Sequence, residues 1–84
     1  MKEVKIYSTN YCPFCVRAKK LLESKKIAFT EIDVTGDDDA RRNLAEATGR
    51  KTVPQIFIGE APIGGFDDLD ALNKQGKLEA MLNS

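Results

Sequence analysis

The sequence predicts an α/β domain in the order β α β α β β α, and three observations carry that prediction. Two segments of alternating apolar and polar residues flank a helical pattern near the N-terminus, which makes a βαβ unit. Further along, a Pro-headed apolar run, a Gly-Glu turn and a second short run make an antiparallel hairpin. Amphipathic helical patterns fill the intervals, with no repeat, linker or low-complexity stretch between them. The 84 residues suit one domain over positions 1–84, because a chain of this size can build a single core.

In residues 3 to 8, Val4, Ile6 and Ser8 alternate with Lys5 and Tyr7, as in a strand with one buried face. Pro13 suits the first helical position, where its missing N–H would be unpaired anyway. Phe14, Ala18, Leu21 and Leu22 then recur at helical spacing out to about residue 25. Lys25 and Lys26 are expected in the last turn, against the negative end of the helix dipole. Residues 28 to 34 alternate again, with Ala28, Thr30, Ile32 and Val34 on one face, and the right-handed crossover makes this strand parallel to the first. Asp37, Asp38 and Asp39 favour the positive end of a second helix, with Ala40, Leu44 and Ala47 as its apolar stripe and Gly49 as its stop. The hairpin turns at Gly59-Glu60, and Pro62, which cannot donate to a ladder, confines the last strand to a sheet edge. Asp67 or Asp68 is expected to cap a third helix carrying Leu69 and Leu72. Gly76 separates it from a short one with Leu78, Met81 and Leu82.

With 13 Lys and Arg against 13 Asp and Glu, and 42% apolar residues, the composition is that of a soluble globule. Zero net charge, with no basic run interleaved with aromatics, argues against nucleic-acid binding. No stretch approaches the ~18 apolar residues of a membrane span and no secretory apolar segment opens the chain, so a cytoplasmic protein without membrane contact is expected. The charge is nonetheless uneven: residues 1 to 26 hold seven bases and two acids, and residues 59 to 84 hold two bases and five acids. An anionic ligand is therefore expected near the N-terminal third. Histidine is absent, which excludes Ser/His and Cys/His catalysis within the chain.

The two cysteines form Cys12-Pro13-Phe14-Cys15, where the first strand hands over to the first helix. There Cys12 is the expected N-cap, and free backbone N–H groups with the positive dipole end favour its thiolate. Cys15 lies one turn inside and is less favoured, so the pair divides into a nucleophile and a resolving thiol. Spacing i, i+3 also allows a disulfide without unfolding the helix. Two thiols without histidine cannot complete a zinc site in one chain, and so small a loop makes a poor structural disulfide. Redox chemistry is the expected use.

Two further segments stand out. On local chemistry Pro54, in Arg50-Lys51-Thr52-Val53-Pro54, is an ordinary trans proline heading a strand. Gly64-Gly65-Phe66-Asp67-Asp68 reads as a glycine turn before a capped helix, with a carboxylate-binding helix start as the alternative.

Taken together, Tyr11-Cys12-Pro13-Phe14-Cys15, Thr52-Val53-Pro54 and Gly64-Gly65-Phe66-Asp67-Asp68 resemble the glutaredoxin family in its short dithiol bacterial form, over residues 3 to 82. The resemblance implies a thioredoxin-like fold, with a four-stranded mixed sheet, helices on both faces and a cis Val53-Pro54 bond. It implies a glutathione-dependent oxidoreductase that reduces glutathionylated mixed disulfides and protein disulfides, with Cys12 and Cys15 catalytic. In the glutathione groove it places Tyr11, Phe14, Thr52, Val53 and Pro54 beside the thiols, and Gly65, Phe66 and Asp67 at the γ-glutamyl carboxylate. Asp68 is matched to the α-ammonium and Arg41 to the glycine carboxylate. Glutathione is then a co-substrate, no metal or tightly bound cofactor is implied, and a monomer is expected. Three positions depart from the family pattern: Thr9 replaces a frequent lysine, Phe14 replaces a tyrosine, and Phe66 stands where relatives often have cysteine. Two alternatives accompany this reading. One is a thioredoxin-like redoxin served by a flavoprotein reductase, against which the Arg41, Asp67 and Asp68 set argues. The other is a glutathione-ligated [2Fe–2S] dimer, which the stiff Pro13 disfavours.

Overall fold

The computed structural model describes residues 2–83. Its elements are β1 (Val4–Ser8), α1 (Pro13–Ser24), β2 (Thr30–Asp33), α2 (Asp38–Thr48), β3 (Gln55–Ile58), β4 (Ala61–Gly64), α3 (Phe66–Lys74) and α4 (Leu78–Asn83). One sheet has the order β2-β1-β3-β4. The β1–β2 pair is parallel, as the crossover requires, whereas β1–β3 and β3–β4 are antiparallel. In that register Ile6 lies between Glu31 and Ile56. Pro62 does fall on an edge strand, opposite Phe57, where its missing N–H leaves no interior ladder broken.

The alternation read in β1 sorts its side chains as expected: Val4, Ile6 and Ser8 are buried, and Lys5 and Tyr7 lie half-buried on the other face. Val4 and Ile6 join Ile56 and Ile58 of β3, Ala18 and Leu22 of α1, Leu69 of α3, and Leu78 and Leu82 of α4 in one apolar core. Three helices thus seal one face of the sheet. Across the sheet Tyr7 meets Phe57 edge to face at 5.6 Å between ring centres, and Thr48 at the end of α2 comes beside Phe57 and Gln55. Residues near the two ends of the described chain also meet, since the Lys2 N–H donates to the Leu82 carbonyl at 2.8 Å.

Four local expectations need correction. The second strand is shorter than 28 to 34, because Ala28 is exposed and ladder pairing begins at Thr30. Lys25 and Lys26 lie beyond the end of α1; Lys25 is its C-cap, and its ammonium reaches Glu79 of α4 at 2.7 Å. In α2 the buried side runs through Leu44, with Ala40, Ala45 and Thr48 half-covered, while Ala47 faces solvent. The start of α3 also differs: neither Asp67 nor Asp68 is its N-cap, which is Gly65. Asp68 at the third helical position reaches back to accept the Gly65 N–H at 3.0 Å. An acid in that place serves the same orphan donors from inside the helix.

Leu69 is fully buried and carries α3 into the core. Leu69→Ala is expected to lower unfolding stability by about 2–5 kcal/mol through lost transfer energy and a residual cavity. A urea titration followed by circular dichroism checks this, the Leu72→Ala loss at a half-covered site being smaller.

Candidate active site

Sheet and helix meet at the C-terminal end of β1, and the loop there sets both thiols. Cys12 has extended backbone angles and caps α1, with Pro13 directly after it. Its sulfur accepts the Cys15 N–H at 3.2 Å, while its S–H lies 3.6 Å from the Val53 carbonyl oxygen. Cys12 is half-buried at the mouth; Cys15 is wholly covered, and both are free thiols. Burial pushes the Cys15 thiol up to about 12, its hydrogen bond with Cys12 and the charge of Cys12 act the same way, and the Thr9 backbone and Lys19 oppose them. The asymmetry expected from spacing is therefore present as a difference in access and in the cost of ionising Cys15.

A groove of about 320 Å³ opens beside the thiols, lined by Phe14, Arg50, Thr52, Val53, Pro54, Gly65, Phe66, Asp67 and Asp68. It brings together most residues that the resemblance singled out. The Val53-Pro54 bond is cis, as the resemblance implied and against the local preference for trans. Phe14 and Phe66 face each other at 6.5 Å between ring centres, and Arg17 covers Phe14 at 5.2 Å. Tyr11 is 64% exposed beside the mouth. Arg41 is not in this groove; it lines a neighbouring hollow with Asp38, Arg42, Ala45 and Lys51. The two regions are joined by the Arg41 guanidinium, which donates to the Tyr11 hydroxyl at 3.1 Å. Thr9 lies beneath the loop, 4% exposed with its hydroxyl unpartnered among the described residues, rather than offering a polar group to the groove.

Sequence reasoning passed over Arg50. Its guanidinium donates to Asp68 Oδ2 at 2.9 Å, and the same oxygen accepts the Gly65 N–H. The Gly65 N–H first, and then Arg50, hold the Asp68 carboxyl below its ordinary range, with slight burial opposing. The Arg50 backbone is itself pinned, because its N–H reaches Thr48 Oγ1 at 3.2 Å and its carbonyl accepts from buried Gln55 Nε2 at 2.7 Å. The ion pair lies directly over Gly64, where φ is +118°. A Cβ there would strike the Asp68 carboxylate and stand 2.8 Å from Arg50 Nη1, so only glycine admits the pair. The signal available in the sequence was the glycine doublet itself, which marks a close approach without naming what approaches.

A thioredoxin-like sheet with a nucleophilic cysteine at a helix start and a buried partner one turn inside defines a thiol–disulfide oxidoreductase. The glutaredoxin family model matches residues 4–63, and the chain belongs to that family. It is 50% identical to a glutaredoxin of Pseudomonas aeruginosa over 84 residues, covering all of both chains. It is also 46% identical to glutaredoxin 3 of Escherichia coli K12 over 82 residues, covering 98% of this chain and 99% of the relative. Among solved structures, a buckwheat glutaredoxin–glutathione complex superposes with a TM-score of 0.90 at 35% identity, covering 98% of this chain and 77% of that one.

Alkylation separates the two thiols. Iodoacetamide is expected to label Cys12 first at any pH from about 6 to 9, with Cys15 lagging because it is covered and ionises only towards its raised value. Peptide mass spectrometry of partly labelled protein reads the order, and equal rates throughout that range would defeat the assignment.

Proposed function

We propose that the chain acts as a single-domain, glutathione-dependent reductase of glutathionylated mixed disulfides and of protein disulfides. The observation that carries this reading is the convergence of Cys12, the Val53 backbone and the Asp68 carboxylate around one groove. A tripeptide thiol with an ammonium at one end and carboxylates at both needs such a set: a sulfur partner, an extended backbone edge and fixed charges. Asp68 is anchored from two sides and ionised, which suits the α-ammonium. The Phe66–Asp67 helix start offers N–H groups to the γ-glutamyl carboxylate, and Gly65 lets the ligand approach. Arg41, with Lys51 in the adjoining hollow, suits the glycine carboxylate, reached past Tyr11. Thr52, Val53 and Pro54 form the wall along which the glutathionyl backbone runs, and Phe14 and Phe66 cover its stem.

In this reading the Cys12 thiolate attacks the glutathionyl sulfur of a mixed disulfide, and the target leaves as its thiol. A second glutathione then attacks the Cys12 adduct and departs as glutathione disulfide, which restores Cys12. For a protein disulfide, Cys12 forms a mixed disulfide with the target, and Cys15 releases the target by closing the Cys12–Cys15 bond. Cys15→Ser is therefore expected to keep turnover of a glutathionylated small disulfide and lose reduction of protein disulfides, whereas Cys12→Ser loses both. Assays coupled to glutathione reductase and NADPH test this; loss of the first activity in Cys15→Ser would overturn the glutathione-regenerated route.

The charged contacts differ in rigidity, which sets a second expectation. Hydrogen-bonded charge contacts contribute about 1.5–3 kcal/mol and exposed flexible ones about 0–1 kcal/mol. Asp68→Ala should then raise KM for glutathione more than Arg41→Ala, with the chemical step largely spared in both. Because the Asp68 carboxyl is held below its ordinary value of 3.8, the wild-type advantage should persist as pH falls to that value and fade only below it. KM measured for wild type and both variants from about pH 3 to 7 reads both effects, and unchanged constants in both variants would place the ligand elsewhere.

A further inference from the structure

Cys15 has no exposed surface, yet the dithiol route proposed above requires its sulfur to become a nucleophile. Its charged surroundings come from three elements. Cys12, the N-cap of α1, precedes it at i−3, and on α1 Lys19 follows at i+4, the spacing that puts two side chains on one helical face. In the loop after β1 the Thr9 backbone faces the sulfur. On β2, Glu31 pairs with Lys19: Lys19 Nζ lies 2.7 Å from Glu31 Oε2. That same oxygen accepts the Ser8 hydroxyl at 2.6 Å. Ser8 is 1% exposed on β1 and directly precedes Thr9. Glu23 also acts on Lys19, and Asp33 on Glu31, each by its charge.

A lysine on a helix surface ordinarily spreads over many rotamers in water. Here a carboxylate holds its ammonium, and a buried hydroxyl on the same sheet holds the carboxylate. We propose that Lys19, fixed by Glu31 and Ser8, is a positioning residue for Cys15: it offsets the negative charge that gathers on the buried sulfur during the resolving step. In that step Cys15 gives up its proton and attacks the Cys12 sulfur of the mixed disulfide. The Cys12–Cys15 bond forms, the bond from Cys12 to the target sulfur breaks, and the target thiolate leaves with the electron pair and takes up a proton. Electrons and protons balance within the exchange. In the monothiol route glutathione regenerates Cys12 without Cys15, whereas after the resolving step glutathione reopens the Cys12–Cys15 bond and Cys15 leaves as a thiolate that takes up a proton, so the two routes should depend differently on Lys19. Because burial makes the Cys15 thiol costly to ionise, a nearby cation matters more to the resolving step than to the monothiol route.

The inference rests on the dithiol half of the proposed function, and its test is built to fail separately from it. Lys19→Gln is expected to slow protein-disulfide reduction about three- to tenfold near neutral pH, while glutathionylated small-disulfide turnover stays within about twofold. Lys19→Arg should recover most of the lost rate. Glu31→Gln should give a smaller loss, because the ammonium is freed but not removed. A readout independent of turnover is the alkylation of Cys15 in the Cys12→Ser background, whose pH midpoint should move higher when Lys19→Gln is added. If Lys19→Gln changes only the melting temperature and leaves both the protein-disulfide rate and that midpoint in place, the ion pair is a staple between α1 and β2 and the proposal is wrong. Should the parent protein fail to turn over glutathionylated disulfide, the glutathione reading falls, and the alkylation midpoint still decides the role of Lys19.

Discussion

The hydrogen bond from the Cys15 N–H to the Cys12 sulfur fixes the point at which α1 begins, and the geometry of the site follows from it. A helix must satisfy its first N–H groups with something, and here one acceptor is the sulfur of the half-buried Cys12. The requirement that starts the helix therefore also aims the nucleophile. Pro13 strengthens the arrangement, since it sits where no N–H is needed and fixes the turn direction. One turn further in, the same helical pitch buries Cys15 against the loop that follows β1. Access and ionisation are thus divided between two identical side chains by three residues of helix.

The opposite wall of the groove is assembled by a different constraint. Residues 50 to 54 and 64 to 68 are distant in the chain, and β3 and β4 bring them together at one end of the sheet. Arg50 and Asp68 then close over Gly64, with the Gly65 N–H sharing the carboxylate. Pairing the acid in advance keeps it ionised and oriented, and the half-exposed ion pair leaves it open to a second cation. The apolar part of the same groove comes from Phe14 of α1 and Phe66 of α3.

How far these features could be read from the chain depends on the range over which each is encoded. The strands, the parallel crossover and the helix bearing the cysteines are written in short periodicities, so Val4, Ile6, Ala18 and Leu22 fall in the core where alternation and helical spacing place them. The cap of α3 differs from the expectation because Asp67, Asp68 and Gly65 are all acceptable near a helix start, and the Asp68 carboxylate serves the start from the third helical position, reaching back to the Gly65 N–H. Arg50 carries no local signal beyond belonging to the segment that leads to Pro54, because nothing nearby in the chain pairs with its guanidinium. Its partner is 18 residues away. The cis bond at Val53-Pro54 was legible only through family resemblance, since the local preference is trans. The place of Arg41 outside the groove is likewise a matter of where α2 docks, which no spacing within α2 reveals.

The contact between the Lys2 N–H and the Leu82 carbonyl bears on how the domain can be joined to other things. Polypeptide continued from either end leaves from nearly the same corner, where α4 is also tied to the end of α1 through Lys25 and Glu79. A tether or fluorescent reporter attached at either terminus therefore has the same reach. A short peptide bridging the two ends would close the backbone into a ring, and new termini could be opened at the exposed Thr35-Gly36 turn, after β2.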